Sequence, residues 1–209
     1  EIASCLVGSE MCIRDRPKVV DHEKKKQQII QYAWQSIVSN GAKGATVRNI
    51  AKLARMTPGQ IRYYYPNHHD LLKAVSVEVD SKVRGRIKAV YNDGSLSPLD
   101  KVIQAMLKAM PLDEERYADM EVWLAFQYEL HEVGKDSMGN EIFTLIKASM
   151  SFLEEHDLLD TSLNQYVAIM KMHALLDGLA LHKLLNPEQM INEDIEHLIE
   201  SEVKSWLRR

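Results

Sequence analysis

Residues 46–72 read TVRNIAKLARMTPGQIRYYYPNHHDLL, and the punctuation of this stretch decides the fold. Thr46 suits an N-cap, because its hydroxyl can accept an otherwise orphaned backbone N–H. Thr57 repeats that signal eleven residues on, and Pro58 follows at the first helical position, where its missing N–H is harmless. Val47, Ile50, Ala51 and Ala54 fall on one helical face. A break at Arg55-Met56 separates TVRNIAKLA from a further short helix over 58–64. Two short helices joined by a turn of about three or four residues are a helix-turn-helix. Pro66 and Asn67 end the second and start another helix.

Upstream, Ile29, Ile30, Ala33, Trp34, Ile37 and Val38 form one apolar stripe, and Asn40-Gly41 closes that helix with residues that tolerate left-handed backbone. Lys24, Lys25 and Lys26 open the opposite face. Downstream, Leu71, Leu72, Val75, Val79, Val83, Ile87 and Val90 trace a stripe that crosses roughly five turns. The clearest loop is NDGSLSP, 92–98. Beyond it helices are predicted over 98–110, 114–133, 137–156, 162–185 and 187–207, punctuated near Gly134/Gly139, at Asp157 and at Pro187. No alternating β pattern, internal repeat or low-complexity run interrupts them. The expected fold is all-α.

Composition supports a globular chain: 209 residues, 45% hydrophobic and 27% charged. No run of 18 apolar residues marks a membrane span. The net charge of −4 hides a split. Residues 17–75 carry ten Lys/Arg and three Asp/Glu, a net of +7, and residues 76–209 carry fourteen and twenty-four, a net of −10. Such asymmetry fits a basic module over 17–75 that meets a polyanion, on an acidic body over 76–209; the plainer explanation is chance clustering on solvated helix faces. Cys5 and Cys12 both lie in the first sixteen residues, so a disulfide framework or cysteine zinc site is not expected, and a reducing, cytoplasmic setting is compatible. No metal or cofactor is expected. The opening EIASCLVGSEMCIRDR, 1–16, has no helical periodicity and resembles translated sequencing-adapter sequence; it is expected to be a non-native or disordered leader.

In a helix-turn-helix the second helix lies in the major groove of duplex DNA with its N-terminal residues against base edges. Here Gln60 has the chemistry to pair with adenine and Arg62 with guanine, and Pro58 can pack on a thymine methyl. Thr57, Tyr63 and Tyr64 carry hydroxyls suited to phosphates, as does Thr46 at the preceding helix, beside Arg48. Ile61 and Tyr65 are expected to face inward. The bland alternative is that the tyrosines simply pack a small helical domain.

The stretch GAKGATVRNIAKLARMTPGQIRYYYPNHHDLLKAV also resembles the DNA-binding domain of the TetR family of bacterial repressors, over about residues 24–76. That resemblance implies a three-helix DNA-binding head with a helix-turn-helix, a fourth helix leading to a larger helical ligand-binding and dimerisation body, and a homodimer on a near-palindromic operator. It implies DNA contacts from Thr46, Val47, Arg48, Thr57, Pro58, Gly59, Gln60, Tyr63, Tyr64 and His68. Three positions depart from the family: Arg55 replaces a usual turn glycine, Arg62 a commoner tyrosine, and His68 a usual phosphate-binding lysine. EVWLAFQYE at 121–129 and HALLDGLALHKLL at 173–185 resemble the BetI-like subgroup, whose best-known member responds to choline.

Trp123, Phe126 and Phe143, with Met106, Met110 and Met170, are candidates for an apolar pocket that takes a small-molecule effector, although plain core packing accounts for most such residues. Glu129 or Asp177 beside those rings would suit a cation. Helices 162–185 and 187–207 carry more apolar surface than one face needs, and Gly178 costs the helix about 1 kcal/mol against alanine, so both helices are expected to pair with their symmetry mates. Two rival readings remain at this level: a metal-dependent hydrolase around His68-His69-Asp70, and a helical adaptor that binds proteins only.

Overall fold

In the computed structural model the backbone is described over residues 21–41, 44–133 and 140–208, and the side chains over the same residues except 125–133 and 140. The leader 1–16 therefore lies outside the described residues. Nine helices follow one another there: α1 (His22–Asn40), α2 (Val47–Ala54), α3 (Pro58–Tyr64), α4 (His68–Asn92), α5 (Pro98–Lys108), α6 (Glu114–Val133), α7 (Asn140–Glu155), α8 (Gln165–Leu185) and α9 (Asn192–Lys204). Among the described residues no strand forms, only one isolated bridge between Leu159 and Leu207. No helix there is long and apolar enough to cross a membrane.

Local chemistry sets most boundaries. Asp21, Thr46, Thr57, Ser97 and Asn164 each accept a backbone N–H from the first turn of the helix they precede. Arg55 ends α2 in the left-handed region, φ 52° and ψ 41°, and its N–H bonds back to the last turn. An L-residue in that region costs roughly 1–2 kcal/mol, which a glycine would not incur. Helix α9 begins at Asn192, five residues later than the sequence suggested. Asn186–Ile191 instead form turns, with Lys183 Nζ donating to the Met190 carbonyl at 2.8 Å and so holding the loop against the end of α8.

Two cores result. The first gathers Ile29, Ala33 and Ile37 of α1, Ile50 of α2, Ile61 of α3, Leu71, Val75 and Val79 of α4, and Val122 of α6. The second gathers α5, α7, α8 and α9 around Met106, Ile146, Met150, Met172, Ile195, Ile199, Val203 and Trp206. Helix α4 serves both, packing on α1, α5 and α6. Ile195, Ile199, Val203 and Trp206 are fully buried within the chain. That corrects the expectation that helix 187–207 brings these four residues, with Met190 and Leu198, to a symmetry mate: they serve the chain's own core, while Glu193, Asp194, Glu196 and Leu198 face outward.

Candidate nucleic-acid interface and body cavity

The helix-turn-helix presents most of its expected DNA-facing residues to solvent. Thr46 and Arg48 of the α2 start, and Thr57, Pro58, Gly59, Gln60, Arg62 and Tyr63 of the α3 region, are exposed, Tyr63 by 71%. Val47 and Tyr64 are half-buried against the head core. His68 is half-buried in the first turn of α4, and its Nδ1 is buried with no hydrogen-bond partner among the described residues. Ile61 is fully buried and Tyr65 packs against the same core.

Gln60 is differently engaged from its expected role. Its Oε1 accepts the Thr57 backbone N–H at 2.8 Å, while Thr57 Oγ1 accepts the Gln60 N–H at 3.2 Å. This reciprocal capping box occupies the amide oxygen that a bidentate contact with adenine would use. Arg48 and Arg62 are both exposed and present guanidinium groups whose paired N–H donors suit bidentate contact with a base edge. One neighbour was missed in the sequence. The His22 ring, at the start of α1, lies 6.1 Å from that of Tyr63 and 5.7 Å from that of Tyr64, and the two tyrosines meet edge to face at 5.1 Å. A 41-residue separation hides that cluster from any local pattern.

The rival metal reading gains no support from the local geometry. Asn67 Nδ2 donates to Asp70 Oδ2 at 2.7 Å, which ties that carboxylate to the helix start. Among the described residues no group of three His, Cys, Asp or Glu is placed to hold a metal ion.

The body holds a cavity of about 80 Å³ between α4, α6, α7 and α8, bordered also by Ala109 and Met110 just past α5. Met110, Met120, Trp123, Ile142 and Leu176 supply apolar walls, and Asp80, Asp119, Glu141 and Asp177 bring four carboxylates against Arg86 and Arg116. Both arginines are already paired: Arg86 with Asp119, and Arg116 with Asp113 at 2.8 Å and the Leu107 carbonyl at 2.7 Å. Burial, reinforced by nearby Glu141 and opposed by Arg84, pushes the Asp80 carboxyl up to about 6. Glu141 itself pairs with Arg84 at 2.6 Å, and Asp177 stands 3.8 Å from His173.

Of the pocket residues expected from sequence, Met110, Trp123 and Asp177 line this cavity. Met106 is fully buried in the second core and Phe143 packs against that core, so neither reaches the lining. Met170 is 44% exposed, because its position on α8 points it outward, a full turn and more before the lining residues Leu176 and Asp177. Phe126 and Glu129 sit on α6, with side chains outside the described residues. Asp80, Arg86, Asp119 and Glu141 were missed, because charges on helices read as solvated faces until the helices are packed.

No family model matches the chain. It is 36% identical over 191 residues to the helix-turn-helix transcriptional regulator PksA of Bacillus subtilis, spanning 90% of this chain and 93% of that one. It is 24% identical to the helix-turn-helix transcriptional regulator BetI of Vibrio parahaemolyticus, spanning 82% of this chain and 86% of that one. Among solved structures, a protein from Rhodococcus sp. described as a TetR-family transcriptional regulator superposes with a TM-score of 0.69 at 17% identity, covering 89% of this chain and all of that one. Another, described as a transcriptional regulator from Saccharomonospora viridis in complex with choline, superposes with a TM-score of 0.72 at 15% identity, covering 90% and 100%.

Proposed function

The chain belongs to the TetR family of helix-turn-helix transcriptional regulators, and from that footing we propose that it is a repressor released from its operator by a small organic cation. A homodimer would set two recognition helices in successive major grooves, ~34 Å apart, on a near-palindromic site. Phosphates would be met by Thr46, Thr57, Tyr63, Tyr64 and His68, with Val47, Pro58 and Gly59 packed on the duplex and Arg48 and Arg62 nearest the bases. Exposed apolar residues on α8 and α9, among them Tyr166, Val167, Leu181, Leu185 and Leu198, support pairing through those helices.

The observation that carries the ligand class is the cavity lining. Its two arginines are neutralised by neighbouring carboxylates, which leaves Asp80 and Asp177 beside Trp123, Met110 and Met120. An aromatic face next to a surplus of carboxylates over arginines attracts a cation and repels an anion. The Saccharomonospora viridis neighbour holds choline, a quaternary ammonium of this class.

The test begins with selection of a preferred duplex from a random pool. Choline should then weaken binding to that duplex, and its uncharged carbon isostere should not. Equal release by both compounds, or release by an organic anion alone, rejects the cation.

A further inference from the structure

One buried carboxylate touches both the head and the cavity. Asp119 of α6 is 2% exposed and lines the cavity. Its Oδ1 accepts the indole N–H of Trp34, in α1 of the head, at 3.1 Å. Its Oδ2 accepts both Nη1 and Nη2 of Arg86, in α4, at 3.0 Å each. Lys82, one turn earlier on α4, stands 3.5 Å from Oδ1 and 4.7 Å from the centre of the Trp34 ring. Three helices therefore meet on a single charge.

The Arg86 grip is incomplete. Two of its nitrogens share one oxygen, and its Nε is buried without a hydrogen-bond partner among the described residues. A second arrangement is within reach. Arg86 also borders a second groove, together with Asp93 and Asp113, and its Nη1 is 3.7 Å from Glu115. Arg86 thus stands between Asp119 in the cavity wall and Glu115, which it already approaches. What holds it inward is the cost of leaving Asp119 buried with too little positive charge.

We propose that Asp119 is the positioning residue that reports cavity occupancy to the head: a cation entering the cavity takes the place of Arg86 on Asp119, Arg86 swings to the groove, and α4 loses its register against α6 and Trp34. The exchange replaces one cation by another, so the carboxylate is never left bare. A neutral guest cannot make that exchange. The step rests on the cationic-ligand reading above, whereas the coupling of Arg86 to Trp34 through Asp119 does not.

The experiment uses the full chain with Arg86→Gln, Trp34→Phe and both together. With no ligand present, Arg86→Gln should weaken binding to the selected duplex about tenfold, within the usual range of coupling between sites. It should also speed amide exchange across α1, a readout that needs neither DNA nor ligand. In the Trp34→Phe background the same change should move either readout less than about twofold, because coupled neighbours are not additive. Arg86→Lys, which restores the charge, should recover most of the loss. A merely structural role for Arg86 would instead give independent, additive losses in both backgrounds. Additive losses, or α1 exchange unchanged by Arg86→Gln, overturn the proposal. Calorimetry with choline separates the two readings. If the parent binds no choline yet the cycle is non-additive, the ligand class fails and the role of Asp119 stands. If choline binds and releases DNA from Trp34→Phe as it does from the parent, the ligand class stands and the role of Asp119 fails.

Discussion

Thr57 and Gln60 cap each other: the Thr57 hydroxyl oxygen accepts the Gln60 N–H at 3.2 Å, and the Gln60 amide oxygen accepts the Thr57 N–H at 2.8 Å. The pair starts α3 in a frame that leaves Ile61 buried and Arg62 and Tyr63 exposed. Gln60→Ala should therefore cost about 0.5–1 kcal/mol of folding stability through the lost cap. It should lower DNA affinity without changing base preference. Arg62→Ala should do the reverse: near-unchanged melting, and a relaxed preference at one base position worth about 1–3 kcal/mol. Binding-site selection on both variants decides the assignment. An altered motif for Gln60→Ala and an intact one for Arg62→Ala would exchange their roles.

Asp80 gives a pH signature of defined sign. Its carboxyl is raised from 3.8 to about 6, first by burial and then by Glu141. Between those values the folded protein holds a proton on Asp80 that the unfolded chain has released, so this group's contribution to stability falls as pH rises from about 4 to about 6. Asp80→Asn should remove that decline. Thermal melts of parent and variant across the window should diverge as pH rises, with the variant the more stable above about 6. Parallel curves would show that Asp80 titrates as an ordinary surface carboxylate.

The outer face of α8 yields a prediction about assembly. Leu181 is 44% exposed and Leu198 of α9 is 42% exposed, whereas Ile199 is fully buried in the chain's own core. Gly178, a turn before Leu181, has nothing within 4 Å of where a Cβ would stand, which leaves room for a partner backbone. Leu181→Glu should give monomers by sedimentation while the subunit melts near the parent temperature. Ile199→Ala should cost about 2–5 kcal/mol whatever the assembly state. A dimer that survives Leu181→Glu would move the two-fold axis to another face.

The helix-turn-helix was legible because its signals are local. Thr46, Thr57 and Pro58 set helix starts within one turn of themselves, and α3 runs over 58–64 as its caps dictate. Arg55 was marked in the sequence by the missing glycine, and its left-handed backbone was readable as a question though not as an answer. The cavity was less legible, because its lining depends on how α4, α6, α7 and α8 turn toward one another. Met106 and Met170 belong to the same residue class as Met110, but only Met110 reaches the lining. Trp34 belongs to the apolar stripe of α1 by spacing, yet its indole N–H answers a carboxylate 85 residues away. No periodicity in either segment contains that pairing.

DNA binding through α2 and α3 is read out most directly by the affinity of the parent protein for its selected duplex as a function of salt. Residues 17–75 carry a net +7, and the α2 and α3 region exposes Thr46, Arg48, Thr57, Arg62 and Tyr63, which on the proposed reading would meet the duplex. The logarithm of affinity should fall linearly with the logarithm of salt concentration, with a slope of about −0.9 for each phosphate neutralised. A steep line is the predicted result. A flat profile, with affinity for duplex DNA indifferent to salt, would contradict the account.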